Sequence, residues 1–213
     1  MYLLWDWNGT LLDDTALCLR ALNGMMEARG LKPITLDYFR AHFAFPSRNF
    51  YNFLGMTTSD ETWDAMAQEY HDRYHEVAAE INREAREALT YAKDFGFRQS
   101  IISALRQDFL TAEVNKFKLR NFFDYVYGSD NLNGGTKIER ACELVERLKR
   151  EGFIRGPLVL IGDSLHDKVT ADAVGARSIL FSGGSHSAER LAAEAPTYDS
   201  LLDCVKAAAA WAV

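Results

Sequence analysis

The chain has 213 residues, 48% of them hydrophobic, with 24 Lys and Arg against 30 Asp and Glu. This length supports one domain, or a core with an insertion, and buries about 70% of the surface that the unfolded chain exposes. The formal charge of −6 excludes the basic footprint of a general nucleic-acid binder. Cys18, Cys142 and Cys204 lie far apart with no Cys-x-x-Cys pair, which excludes a structural zinc site. Cys18 and Cys142 fall at core-like helix positions, so buried thiols in a reducing cytosol are expected. The first residues run into Asp6 without a basic start, and the apolar stretch 205–213 is too short to span a bilayer. A soluble cytoplasmic protein is expected.

The chain opens on an apolar run, residues 2–5, that stops at Asp6-Trp7-Asn8-Gly9-Thr10. A short apolar run ended by a glycine turn reads as a buried strand. Residues 14–82 then have helical character. Asp13-Asp14-Thr15 is placed to cap a helix ending near Gly30. Ser59-Asp60-Glu61-Thr62 opens a long helix whose apolar face runs from Trp63 to Ile81. No strand is expected between. Four further strands are predicted at 100–102, 125–127, 158–161 and 178–181. Helical segments lie between them, one with Phe109, Leu110, Val114 and Phe117, another with Ile138, Ala141, Cys142, Val145 and Leu148. Strands alternating with helices predict an α/β fold, a parallel sheet covered on both faces. The predicted organisation is a discontinuous core, 1–13 and 83–213, with an all-helical insertion at 14–82. In such sheets the site lies at the carboxyl ends of the strands.

Four polar clusters follow predicted strands. Asp6, at a strand tip before a glycine turn, suits a nucleophile or metal ligand, and equally a capped loop. Ser103 can donate to a phosphate oxygen or cap its own loop. Lys137, in Gly134-Gly135-Thr136-Lys137, starts a helix, where the dipole disfavours a cation. It therefore faces an anion or extends into solvent. In Gly162-Asp163-Ser164-Leu165-His166-Asp167, two carboxylates stand four residues apart behind a very hydrophobic strand. Clustering them with Asp6 is costly unless a cation such as Mg²⁺ offsets the charge; a capped helix start is the alternative.

Taken together and in this order, the four clusters resemble the haloacid dehalogenase superfamily, in its phosphoglycolate phosphatase-like branch. The resemblance implies a Rossmann-like core with a helical cap and a Mg²⁺-dependent phosphatase of small phosphorylated metabolites. It implies no nucleic-acid or membrane partner, and a monomer or homodimer. Asp6 would attack phosphorus, and Mg²⁺ would lie between Asp6, Asp163 and the backbone carbonyl of Asn8. Asp167 would act from behind, ordering metal waters or Lys137. The phosphoryl group would be held by Gly9, Thr10, Ser103, Ala104 and Lys137.

The family's phosphatases usually carry a second aspartate where this chain has Asn8, and an amide exchanges no proton. Acid–base help is worth about 10²–10⁴-fold, so a slowed phosphatase is expected. His166 is weighed as a replacement base. Two other readings follow from Asn8: carbon–phosphorus cleavage through a cap lysine, for which Lys32 is the one available, and a non-enzymatic phospho-ligand or partner-binding descendant. For specificity, Arg48 in the cap is placed to clamp a carboxylate or second phosphate, or else is an exposed loop residue. Trp7 is expected to line the cap–core cleft, and His71 and His75 to form a solvated face.

Overall fold

The computed structural model describes residues 1–130 and 137–212. In chain order its elements are β1 (Tyr2–Trp5), β2 (Leu12–Asp13), α1 (Thr15–Glu27), α2 (Leu36–His42), α3 (Ser47–Phe53), α4 (Asp60–Tyr74) and β3 (Glu80–Ile81). They continue with α5 (Ala85–Asp94), β4 (Arg98–Arg106), α6 (Gln107–Lys116), β5 (Val126–Ser129), α7 (Lys137–Arg150) and β6 (Leu158–Gly162). The last are α8 (Leu165–Ala173), β7 (Arg177–Phe181), α9 (Ala188–Ala192), β8 (Thr197–Tyr198) and α10 (Leu201–Ala209).

Among the described residues, six strands form a parallel sheet in the order β5-β4-β1-β6-β7-β8. The two-residue side-chain period of β1 divides the core into two layers. Leu3 and Trp5 pack with α5, α6 and α10 through Leu89, Leu110 and Val205, among others. Tyr2 and Leu4 face the opposite side, against Ala141, Leu144 and Leu148 of α7. Because both faces are covered, the strands read as continuous apolar runs. That is why the five longer strands were legible, whereas the two-residue edge strand β8 was not.

Strand register fixes the position of the site. Trp5 pairs with Ile101 on one side and Ile161 on the other. Asp6, Ser103 and Asp163 each lie one or two residues beyond those partners, so they emerge at one end of the sheet. The direction of chain progression reverses between β1 and β6, which opens a crevice there.

The helices α1 to α4 bury a separate apolar cluster that includes Leu22, Met25, Phe39, Phe50, Tyr51 and Met66. Two expectations about this segment need correction. First, the long helix stops at Tyr74 rather than continuing to Ile81. Glu80 and Ile81 instead pair antiparallel with Asp13 and Leu12, so a strand does occur within 14–82. The ribbon ties together the two chain crossings between the sheet and the helices, and its ladder bonds outcompete helix extension. Second, Asp14 stands at the start of α1 but makes no side-chain cap bond; its carboxylate is taken by other donors, described below.

The expectation of buried thiols fails at Cys142, which is exposed, and is met only in part at Cys18, which is half-buried; Cys204, for which no such expectation was drawn, is buried. The inward stripe of α7 is Ala141, Leu144, Val145 and Leu148, which turns position 142 outward. Among the described residues no helix is long and apolar enough to cross a membrane.

Candidate active site

Asp6, Asp163 and Asp167 present carboxylate oxygens within 4.8 Å of one another, all buried. Lys137, also buried, donates to Asp6 and, at 2.5 Å, to Asp167. The Thr10 hydroxyl lies 3.2 Å from Asp6 Oδ2 and 3.4 Å from Asp163 Oδ1, bridging the two strand ends. Asp167 also accepts from the Ser164 hydroxyl at 2.6 Å and from the Ser164 and Asp163 amides. Ser164 and Asp167 thereby form the capping box of α8. The capped-helix and charged-cluster readings of this motif are both realised, because one Asp167 oxygen serves the helix and the other serves Lys137.

Glycine makes this approach possible. A Cβ on Gly162 would lie 2.2 Å from Asp167 Cγ. At Gly9 (φ +74°) it would lie 2.3 Å from Asp163 Oδ2 in a backbone region that L-residues avoid.

Three carboxylates share one ammonium group, and the proton equilibria reflect the deficit. Burial pushes Asp6 up to about 7 against the pull of Lys137. Burial and the other two carboxylates also raise Asp163 well above the usual range. Burial would raise Asp167 too, but the adjacent Lys137 outweighs it and holds the group low. Lys137 is raised despite its burial, because Asp167 and Asp6 surround it. The cluster thus has excess hard oxygen donors and too little positive charge, a donor set that fits a Mg²⁺-like cation.

Ser103 is buried beside this cluster, and its Oγ accepts from the Leu105 amide at 3.0 Å, leaving the hydroxyl proton available to donate. Ser103, Ala104 and Asn8 line the same cavity as Asp6, Asp163 and Lys137. Gly134, Gly135 and Thr136, named with Lys137 from sequence, lie outside the described residues.

Asn8 points its amide at Asp14, with Nδ2 donating to Oδ2 at 2.7 Å. The same carboxylate accepts from the Gly9 amide and the Tyr74 hydroxyl, each at 2.7 Å. Asp14 lines the cavity, a role that sequence reasoning missed because Asp before Thr-Ala-Leu reads as a helix cap. Ser185 was missed as well. Its amide donates to Asp163 Oδ2 at 2.6 Å from the loop after β7. The signal was Gly183-Gly184-Ser185 at a strand's carboxyl end.

Three other expectations are corrected. Arg48 does not line the cavity; it pairs with Asp60 at 2.5 Å and with the Thr58 hydroxyl at 3.2 Å. Trp7 is buried in the core rather than in the cleft, because its indole N–H donates to Glu113 on α6 at 2.6 Å. His71 is half-buried and lines the cavity, while His75 is exposed. His166 also lines the cavity, and burial followed by the nearby Lys137 lowers its pKa.

The α2 segment closes over the site. Arg40 donates to the carbonyls of Gly184 at 2.9 Å and Gly183 at 2.7 Å, and Arg190 donates to those of Arg40 and Phe43 at 2.9 Å each. This closes a cavity of about 190 Å³ between the helices and the strand ends.

Comparison with known proteins agrees with this architecture. The chain is 22% identical over 217 residues to phosphoglycolate phosphatase 1 of Pseudomonas aeruginosa, covering 96% of this chain and 78% of that protein. It is 23% identical over 205 residues to PpaX of Caldanaerobacter subterraneus, provisionally named a pyrophosphatase, covering 92% and 87%. In three dimensions it is similar to the crystal structure of a predicted phosphatase from Clostridium acetobutylicum. The TM-score there is 0.77 at 21% identity, over 98% of each chain, a likeness of fold. The sequence pattern of the haloacid dehalogenase-like hydrolases matches residues 3–181, and the chain belongs to that family.

Proposed function

We propose that this protein is a Mg²⁺-dependent phosphatase of small phosphorylated metabolites, acting in the cytoplasm as a monomer or homodimer through an aspartyl-phosphate on Asp6. The observation that carries the reading is the convergence of Asp6, Asp163, Asp167 and Lys137 beside Ser103 at the crevice of the sheet. The names of its relatives, phosphoglycolate phosphatase and pyrophosphatase, support the same class of bond.

Asp6, Asp163 and the Asn8 carbonyl are the groups that would hold the cation, with Asp167 behind them through Lys137. When bound there, Mg²⁺ would supply Lewis-acid stabilisation of the phosphoryl oxygens and would favour the ionised form of these carboxylates. The Asp6 carboxylate attacks phosphorus as the bond to the leaving oxygen breaks. Water then attacks the acyl phosphate, releasing inorganic phosphate and restoring Asp6. Lys137 and the Ser103 hydroxyl stabilise the charge that builds on the phosphoryl oxygens. Residues 14–82 act as the cap that excludes bulk water from this step.

Asn8 gives neither the leaving group nor the attacking water a proton partner, so both steps are slow. The carbon–phosphorus reading loses its support, since Lys32 is exposed and does not line the cavity. The test is Mg²⁺-dependent hydrolysis of an activated aryl phosphate, with rapid acid quench to trap protein-bound phosphate. Slow turnover with trapped phosphate that disappears in Asp6→Asn is expected. Absence of both in the wild type would refute the reading.

A further inference from the structure

The cavity over the strand ends has two unlike walls. Below, the carboxylates, Lys137 and Ser103 are suited to a phosphoryl group. Above, the helices contribute mainly apolar and aromatic surface, chiefly Leu22, Phe43, Phe45, Tyr51, Trp63 and Tyr70. Tyr51 and Trp63 meet edge to face at 5.7 Å, and Phe43 and Phe45 do so at 5.1 Å.

Among the described lining residues Lys137 is the only Lys or Arg, and Asp6 and Asp167 already engage it. Arg48 is turned to Asp60, and Arg40 to the carbonyls of Gly183 and Gly184. The cap side instead adds a carboxylate, Asp14. An anionic substituent on the substrate would therefore be buried beside apolar rings and a carboxylate, without a Lys or Arg free to pair with it, which is costly. An uncharged ring would gain from the same wall. His166 offers a further neutral feature. Its ring lies 4.8 Å from that of Phe45, and its buried Nε2 has no hydrogen-bond partner among the described residues.

From this we infer that the organic part of the substrate is a compact, uncharged, apolar group, best an aromatic ring one carbon from the ester oxygen, and not a carboxylate such as glycolate. Size sets the upper limit: an apolar cavity of about 150 Å³ accepts benzene, and this one, at about 190 Å³, leaves no room for an organic group larger than one ring. The inference rests on the phosphatase reading and narrows it. It also separates this chain from relatives named for phosphoglycolate, a distinction that 22% identity readily permits.

Benzyl phosphate and 2-phosphoglycolate differ only in phenyl against carboxylate on the same methylene, so their kcat/KM ratio tests the cap wall directly. A ratio of about 100 or more in favour of benzyl phosphate is expected. Calorimetric titration with 2-phenylethylphosphonate and 3-phosphonopropionate, which cannot be hydrolysed, reads the same preference without turnover. The aryl compound should bind at least about tenfold more tightly. Equal or reversed preference in either assay overturns the inference. Acetyl phosphate, small and activated, serves as the independent control. Its Mg²⁺-dependent hydrolysis alongside rejection of the aromatic compounds would overturn the inference alone. Failure to hydrolyse any of these three phosphates, two esters and one acyl phosphate, with no trapped phosphate, would overturn the phosphatase reading and this inference with it.

Discussion

The side-chain amide of Asn8 donates to the buried carboxylate of Asp14 at 2.7 Å, six residues along the chain. The position where the family's phosphatases carry an acid is thus occupied by a group whose orientation a second carboxylate holds. Tyr74, at the end of α4, donates to that carboxylate too, so the departure from the family pattern is tied into the cap.

Asn8→Asp alone should therefore restore less activity than its chemistry suggests. It sets two carboxylates at hydrogen-bond distance, where one must keep a proton. The exchange Asn8→Asp with Asp14→Asn preserves the hydrogen bond and puts the free acid at position 8. The double variant should raise turnover of an activated aryl phosphate by tens-fold or more, and should exceed the single variant by several-fold. Steady-state rates with quench measurements of phosphoenzyme check this; a single variant as fast as the double would contradict it.

Lys137 is the ammonium partner of two buried carboxylates. Lys137→Met should destabilise the protein by about 3–5 kcal/mol in the presence of a chelator, since it strands buried charge. Added Mg²⁺ should return part of that loss, whereas hydrolysis should not return. Urea unfolding with and without Mg²⁺ gives both quantities. A loss below about 1 kcal/mol would mean that the carboxylates stay protonated without their partner.

Arg190 on α9 holds the cap through the carbonyls of Arg40 and Phe43. Arg190→Ala removes both bonds and touches neither Asp6 nor Lys137. It should raise KM several-fold and leave kcat within about twofold, because positioning of the substrate suffers more than the chemistry. A fall in kcat with KM unchanged would place Arg190 in the chemical step instead.

His186 is buried, with its Nδ1 accepting from the Leu165 amide. Burial, reinforced by Arg190, lowers its pKa from 6.5 to about 4. The unfolded chain takes up this proton first as pH falls, so the contribution to stability is intact above pH 6.5 and declines toward pH 4. The loss is about 3 kcal/mol across that window. Chemical denaturation of wild type and His186→Gln at several pH values should show a shallower decline in the variant. Parallel curves would contradict the assignment.

Some of this protein was determined by the order of residues along the chain. The apolar runs ending at Asp6, Ile102 and Ile161 dictated a parallel sheet, because strands buried on both faces leave no room for polar alternation. That order also sent Asp6, Ser103 and Asp163 to the same end of the sheet, and the departure at Asn8 was visible from local spacing alone. Other features were decided only by the tertiary structure, through groups that meet across long stretches of chain. Tyr74 and Asn8 both donate to Asp14, which draws it away from capping α1. Asp60 takes Arg48 out of the cavity, and Glu113 draws Trp7 into the core. A side chain's direction follows the strongest partner within reach, and which partners are within reach is settled only when the helices pack onto the strand ends.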